Sequence, residues 1–497
     1  MPNIGRPSRG CQECKTRKVK CDEAIPACLR CVRNKRPCSG YPSETDMNFR
    51  NSIARKSGRT LAPSSCMRSS SDLAQLSISA PVPTDRHSQA ICMFLHDYVI
   101  DARESQMSFG HLQTLPDMLI KTGESPALSQ AVSAVALTSL AHRSCLEDLV
   151  PQARQAYGSA LRSVYATFRD NPDLSSAAIS SDRTLITILC LDFYEIISGE
   201  RPKGMIWSYH ISILEHLLCA RKTQQYQSLP SKGLTYTAHS YVLMRNLAQH
   251  RQLKKEAMLS TEEPQELPVI QMRELIYGIS NIAMKADPII HQERLRIKSL
   301  GSLLSLIQAG LSLNEKLQAW EDQAHGVYTY QTIEVAKLWP AGSPLVSKGP
   351  TIAHIYNSIS VGSLWNSYRI IRIYLLRCLI SGASRLAREA GHAAEAAAHR
   401  ESTVPMRHQI QRLADGICAS VPFMLGEVDQ EGFPRNARHI KAVGGLFLLW
   451  PLGSLLPLKS LPHEQVAWVQ EHLTHIHATF GIRMATTIVR IVKPEAM

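Results

Sequence analysis

Residues 10–38 read Gly10-Cys11-Gln12-Glu13-Cys14-Lys15-Thr16-Arg17-Lys18-Val19-Lys20-Cys21-Asp22-Glu23-Ala24-Ile25-Pro26-Ala27-Cys28-Leu29-Arg30-Cys31-Val32-Arg33-Asn34-Lys35-Arg36-Pro37-Cys38. Six of the 13 cysteines fall in this stretch, and the other seven scatter from Cys66 to Cys418. The six repeat at an interval of 17 residues: Cys11, Cys14 and Cys21, then Cys28, Cys31 and Cys38. The Cys-x2-Cys of each half lets two thiolates grip one zinc across a tight turn that opens a helix. About two helical turns later, the third thiolate swings back to the same metal. Two tetrahedral zincs need more coordination positions than six thiolates fill, and sharing two thiolates as bridges supplies the rest. Metal binding is then what folds a segment with almost no apolar core.

Two other readings compete. One zinc on Cys11, Cys14, Cys28 and Cys31 fits the spacing but leaves Cys21 and Cys38 without a role. A disulfide framework needs an oxidising compartment, and the first ten residues contain no apolar signal segment. The expectation is an intracellular chain with reduced thiols and two Zn2+ on all six cysteines.

Charge points to the same end of the chain. Residues 1–60 carry 14 Lys/Arg against 5 Asp/Glu, so +9 of the formal +13 sits there and the remainder is nearly neutral. A basic head on a neutral body suits a polyanion, either nucleic acid or an acidic membrane surface. Lys15, Arg17, Lys18 and Lys20 place four cations within six residues between two cysteines, on an expected helix small enough for the major groove. Arg or Lys meeting guanine O6 and N7 is the commonest direct base contact, and the other cations suit phosphates. Part of this charge offsets the −2 of six thiolates and two zincs, but that does not explain a helix presenting it. Arg30, Arg33, Lys35 and Arg36 are assigned to phosphates; Arg50, Arg55, Lys56 and Arg59 are read as a backbone-gripping arm, an import signal or a solvated stretch.

The stretch Gly10–Asp22, continued by Pro26-Ala27-Cys28 and Cys38-Ser39-Gly40-Tyr41, resembles the DNA-binding motif of the fungal binuclear-zinc-cluster transcription factors. The resemblance implies that Cys11 and Cys28 are the bridging thiolates. It also implies that the first helix enters the major groove, with Arg17 and Lys18 where the family contacts bases, typically CGG triplets.

Outward from the cluster, residues 39–87 are rich in Ser, Arg, Pro and Thr without apolar periodicity, as in a flexible linker. Leu61, Leu73, Leu76 and Ile78 keep no heptad register, so no zipper is expected. From about Ser88 the pattern turns helical. Ala153, Ala156, Tyr157, Ala160, Leu161, Val164, Tyr165 and Phe168 follow the i, i+3, i+4, i+7 template. So do Ile352, Ile355, Tyr356 and Ile359, and Leu364, Trp365, Tyr368, Ile371 and Leu375. Ser125-Pro126 reads as an N-cap with a first-turn proline. Ala442–Leu458 is uncharged but short and broken by Gly and Pro, so it reads as a buried helix and its turn.

Three body segments are similar to the fungal transcription-factor regulatory domain: Trp207 to His216, Leu364-Trp365-Asn366-Ser367-Tyr368-Arg369, and Gly444 to Leu452. Ser212 departs from that pattern, where a glycine is expected. The resemblance implies roles in regulation, partner binding or small-molecule sensing. No phosphate-cradling, nucleophile-elbow or His-Glu-x-x-His motif occurs, so no enzyme is expected. His472, His475 and His477 read as surface or capping histidines, and the acidic run Thr261–Pro268 as a solvated loop.

The expected architecture is all-α: a zinc-cluster domain over 1–45, a flexible linker over 46–87 and an all-helical regulatory domain over 88–497. The expected function is a nuclear, sequence-specific transcription factor bound to double-stranded DNA and to no membrane. Its alternative is a partner-binding co-regulator acting mainly through the helical domain. A homodimer on paired half-sites and recruited co-regulators are the protein partners this reading allows; the missing zipper leaves monomeric binding open.

Overall fold

Serine side chains open three helices of the body. Ser181 Oγ accepts from Thr184 N at 3.2 Å ahead of Asp182–Ser198, and Ser208 Oγ from His210 N at 2.9 Å ahead of Tyr209–Ala220. Ser358 Oγ accepts from Val361 N at 3.2 Å ahead of Ile359–Glu389. Each satisfies an N–H that helix geometry leaves without an intrahelical partner. Gly199 and Gly481, at φ 69° and 71°, close Asp182–Ser198 and His463–Phe480 in the left-handed conformation that glycine adopts without strain.

The computed structural model describes residues 11–38 and 85–492, except 23, 25–26, 35, 37, 106–109, 121–125, 174–175, 177, 202–207, 222–228, 250, 252–267, 293–296, 339–348 and 435–439. The chain divides into two packing units, Met1–Pro81 and Val82–Met497.

In the larger unit, Pro126–Ser144 is lined with Leu, Val, Ala, Ser and Thr and is buried almost all round. It packs against Arg86–Tyr98, Val150–Asp170 and Asp182–Ser198. The 31-residue helix Ile359–Glu389 forms a second centre, against Pro268–Ile290, Ile297–Asp322, Thr403–Met424 and Val443–Leu455. His463–Phe480 and Met484–Ile491 touch both groups, and one continuous apolar core runs from Ala90 to Ile488. Gly444 marks the closest approach: a Cβ there would stand 1.8 Å from the Met424 carbonyl oxygen. The apolar run at Ala442–Leu458 forms the helix Val443–Leu455, buried on nearly every side despite Pro451 within it. No helix among the described residues is long and apolar enough to cross a membrane.

Helix dominates, as the periodicity predicts, with three local differences. Ile352–Tyr356 is a strand, not a helix. It pairs antiparallel with Tyr330–Glu334, Tyr330 opposite Tyr356 and Glu334 opposite Ile352. Ala353, His354, Ile355 and Tyr356 are all buried, so the apolar pattern carries no two-residue period, and Ile359 belongs to the next helix. Tyr165 is 70% exposed although it shares the apolar stripe of Val150–Asp170, whose buried face is Ala153, Ala156 and Ala160. The body's first helix begins at Arg86 with Asp85 as its cap. Ser125, Trp207, residues 46–84 of the expected linker and residues 261–267 of the acidic run lie outside the described residues.

Candidate metal centre and nucleic-acid interface

Each half of the cluster starts with a cysteine that caps its own helix. Cys11 Sγ accepts from Cys14 N at 3.4 Å before Gln12–Thr16, and Cys28 Sγ from Cys31 N at 3.3 Å before Leu29–Arg33. Both helices end alike. Val19 N donates to Cys14 O and Arg36 N to Cys31 O, each at 3.0 Å, a five-residue closing bond repeated at the 17-residue interval. In the first half this bond puts Lys18 at φ 54°, the left-handed position after a helix where glycine is usual. Val19 then folds back onto the cysteines.

The sulfurs converge. Cys11 and Cys28 Sγ are 3.7 Å apart, Cys14 and Cys28 3.7 Å, and Cys11 and Cys31 3.8 Å. These are not disulfides, whose sulfurs lie about 2.0 Å apart. Zinc–thiolate bonds of about 2.3 Å place the sulfurs of a tetrahedron about 3.8 Å from each other. Two four-sulfur groups meet this geometry, Cys11, Cys14, Cys21 and Cys28, and Cys11, Cys28, Cys31 and Cys38, each within 4.8 Å. Cys11 and Cys28 belong to both. The one-zinc set of Cys11, Cys14, Cys28 and Cys31 is not among the groups that form. Burial, with the neighbouring sulfurs, pushes the Cys14 thiol up to about 12. Burial raises Cys28, and its hydrogen bond to Cys28 raises Cys31. Thiolates this crowded need a cation among them, and zinc is one that soft sulfur ligands select.

Comparison with known proteins agrees. Residues 9–47 match the fungal Zn(2)-Cys(6) binuclear cluster domain, and residues 94–325 the fungal specific transcription factor domain. The chain thus carries the two domains found in fungal binuclear-zinc-cluster transcription factors. It is 23% identical over 420 residues to the transcription factor dbaG of Emericella nidulans, covering 82% of this chain and 92% of that one. Other relatives match over shorter stretches. The transcriptional regulatory protein moc3 of Schizosaccharomyces pombe is 45% identical over 42 residues, 8% of each chain. The sterol uptake control protein 2 of Candida albicans is 35% identical over 91 residues, 16% of this chain and 13% of that one. No solved structure matches significantly. As a binuclear-cluster protein, the chain is a zinc-containing, DNA-binding regulator of transcription.

Within this binuclear-cluster factor, only Lys15 of the four cations lies on the first helix, which ends at Thr16. Arg17 and Lys18 form the turn after it and Lys20 follows, all three exposed. The second half is less free. Arg30 Nη1 donates to Lys20 O at 2.9 Å, and Arg36 lies 3.5 Å from Glu13, so two cations expected at phosphates tie the halves together. Arg33 is exposed, and Lys35 lies outside the described residues.

What sequence reading missed in this factor is the buried charge of its helical body. Arg245 is 2% exposed, and its Nη1 donates to Ser212 Oγ at 2.8 Å while Nη2 meets Glu215. Ser212, the departure from the family pattern, thus holds a buried arginine. Arg201 joins Asp192 and Glu195, whose neighbour His210 lies 3.1 Å from Glu195. His472 stacks on Trp468 at 3.7 Å and its Nδ1 bonds the Trp468 carbonyl, and among the described residues only the six cysteines form groups of three or more potential metal ligands. No local sequence signal announces the Arg245–Glu215 pair, because its partners stand on different helices, 30 residues apart.

Proposed function

We propose that this factor reads CGG-like triplets in the major groove of double-stranded DNA and acts at promoters of RNA polymerase II in the nucleus. In this reading Cys11, Cys14, Cys21, Cys28, Cys31 and Cys38 hold two zincs, with Cys11 and Cys28 shared. Arg17 and Lys18 contact bases, and Lys15 and Lys20 hold phosphates or adjoining base edges. Domains at 1–45 and 88–497, joined by 46–87, divide the work: the first binds DNA and the second regulates output through co-regulators, without catalysis. Homodimers on paired triplets and single-site binding by monomers are both compatible with the absence of heptads in 46–87.

The carrying observation is the Arg17-Lys18 turn. It lies between Cys14 and Cys21, two members of one sulfur group, and a five-residue closing bond fixes Lys18 in a conformation unusual for its side chain. Strain of this kind persists where surrounding structure over-determines it, which suits a turn that must present two cations at fixed angles.

Binding-site selection from random DNA with the zinc-loaded chain tests this, alongside Cys28→Ser. Enrichment of CGG-like triplets that disappears in the variant supports direct readout, and the recovered sites show whether triplets come singly or paired. Equal retention of unrelated sequences by both proteins transfers the function to partner binding by the helical body.

A further inference from the structure

Buried guanidinium groups in the helical body follow one rule with two exceptions. Arg201 meets Asp192 at 2.8 Å, Arg221 meets Asp182 at 2.6 Å, Arg372 meets Glu321 at 3.1 Å, and Arg385 meets Glu389 at 2.8 Å. Arg245 pairs with Glu215. This is what the cost of burying a charge requires. Arg369, 3% exposed, has no carboxylate among the described residues, but its donors are occupied. Nη1 donates to Tyr356 OH and Asn366 Oδ1, Nη2 donates to His354 Nδ1, and the rings of Tyr330, Tyr356 and Trp365 surround it.

Arg273 has neither solution. It is 4% exposed, and its Nε and Nη1 find no acceptor among the described residues. Its Cζ lies 5.7 Å over the Tyr236 ring. One turn beyond Tyr236 on Leu229–Ala248 stands His239, also 4% exposed, whose Nδ1 has no partner among the described residues. Burial, and then the Arg273 charge, push His239 down to about 3, so its imidazole is neutral at physiological pH. Two buried side chains with unpartnered nitrogens therefore sit together on facing helices, and no carboxylate among the described residues pairs with the positive charge.

We propose that Arg273, His239 and the Tyr236 ring form a binding site for a small organic monocarboxylate between Leu229–Ala248 and Pro268–Ile290. Charge selects the class. One buried cation balances one carboxylate, whereas a phosphate at about −1.5 to −2 leaves surplus negative charge in a low-dielectric interior. The free nitrogens of Arg273 donate to the carboxylate, and the neutral imidazole, with its proton on Nδ1, adds a second donor. The site lies in the helical body and stands apart from the reading of DNA by the cluster.

Thermal unfolding of the zinc-loaded full chain, native and Arg273→Met, in acetate, butyrate, benzoate, phosphate or chloride tests the site. A carboxylate well above its dissociation constant is expected to raise the native melting temperature by roughly 2–4 °C. Phosphate and chloride produce no such rise, and Arg273→Met does not respond to the carboxylates. Arg273→Met by itself melts no lower than the native chain, because an apolar side chain of similar reach removes an unbalanced charge. If native and variant respond alike to all three carboxylates, or the variant melts well below the native chain, Arg273 serves packing alone and the proposal is overturned.

Discussion

The cluster and the helical body put opposite groups in their interiors. Among the described residues of the cluster the buried ones are Cys11, Cys14, Cys28 and Cys31, while Leu29 and Val32 stand 53% and 57% exposed. In the body, leucine, isoleucine, valine and alanine fill a continuous core, and the charged groups that enter it come mostly as pairs. One unit folds by coordination and the other by removing apolar area from water. The two should therefore answer to different perturbations, and the contrast can be broken by any treatment that moves both together.

The largest separation is expected from zinc removal. Structural zinc contributes on the order of 10 kcal/mol to the folding of small metal domains, so chelation should unfold residues 11–38 and abolish DNA retention. The melting temperature of the body should stay essentially unchanged, since its described residues hold no group of three or more potential metal ligands. Zinc release monitored against circular dichroism and gel retention checks this. A body that melts early on chelation contradicts the division.

The converse perturbation is Phe193→Ala. Phe193 is 1% exposed, with ring contacts to His111 and Tyr241, and losing it should cost the body about 3–5 kcal/mol. Zinc stoichiometry and DNA affinity at low temperature should be unchanged, as chemical denaturation and zinc titration of the variant measure.

Protons sharpen the contrast within the body. Burial pushes the Glu427 carboxyl up to about 7, and its Oε2 has no hydrogen-bond partner among the described residues. The folded value is raised, so the neutral form is favoured on folding. That contribution is complete below the unfolded value of about 4.3 and is lost as pH rises toward 7. Glu427→Gln should flatten the stability curve between those limits by up to about 3 kcal/mol, read from denaturation midpoints of native and variant chains across pH. A parallel pair of curves removes Glu427 from the account.

How much of this was legible beforehand follows the same division. Coordination is written in spacing, so the interval of 17 residues pointed to two three-cysteine halves sharing two thiolates, while the choice of Cys11 and Cys28 as the shared pair came from the family resemblance. The all-helical body was legible from periodicity, because most of its helices bury one face. Legibility stopped where a tertiary contact decides. Ile352–Tyr356 is buried on both sides of its strand, so its apolar residues are equally compatible with a helical template. Arg245, Arg273 and Arg369 carry charges that composition assigns to the surface, and only the fold brings Glu215 or Tyr356 to meet two of them. The end of the first cluster helix was hidden for another reason. Thr16-Arg17-Lys18 contains no glycine to announce a stop, and the bond from Val19 N to Cys14 O imposes it.

That hidden stop yields the smallest expected effect, and the one closest to function. Lys18 holds φ 54° at a position where glycine costs nothing, so backbone and side chain make opposite demands on the residue. Lys18→Gly should relieve up to about 1 kcal/mol of strain, raising the chelator concentration needed to strip zinc. Lys18→Ala keeps the strain and brings no such gain. Both should weaken binding to the selected site by about 1–3 kcal/mol, against a smaller, sequence-independent loss for Lys20→Ala. Retention assays on selected and scrambled DNA, over a salt series, separate these losses. If Lys18→Gly holds zinc more tightly yet loses discrimination, the turn is kept strained for the sake of its side chain. If it keeps discrimination, the backbone alone carries the recognition geometry, and Arg17 becomes the residue that reads the base.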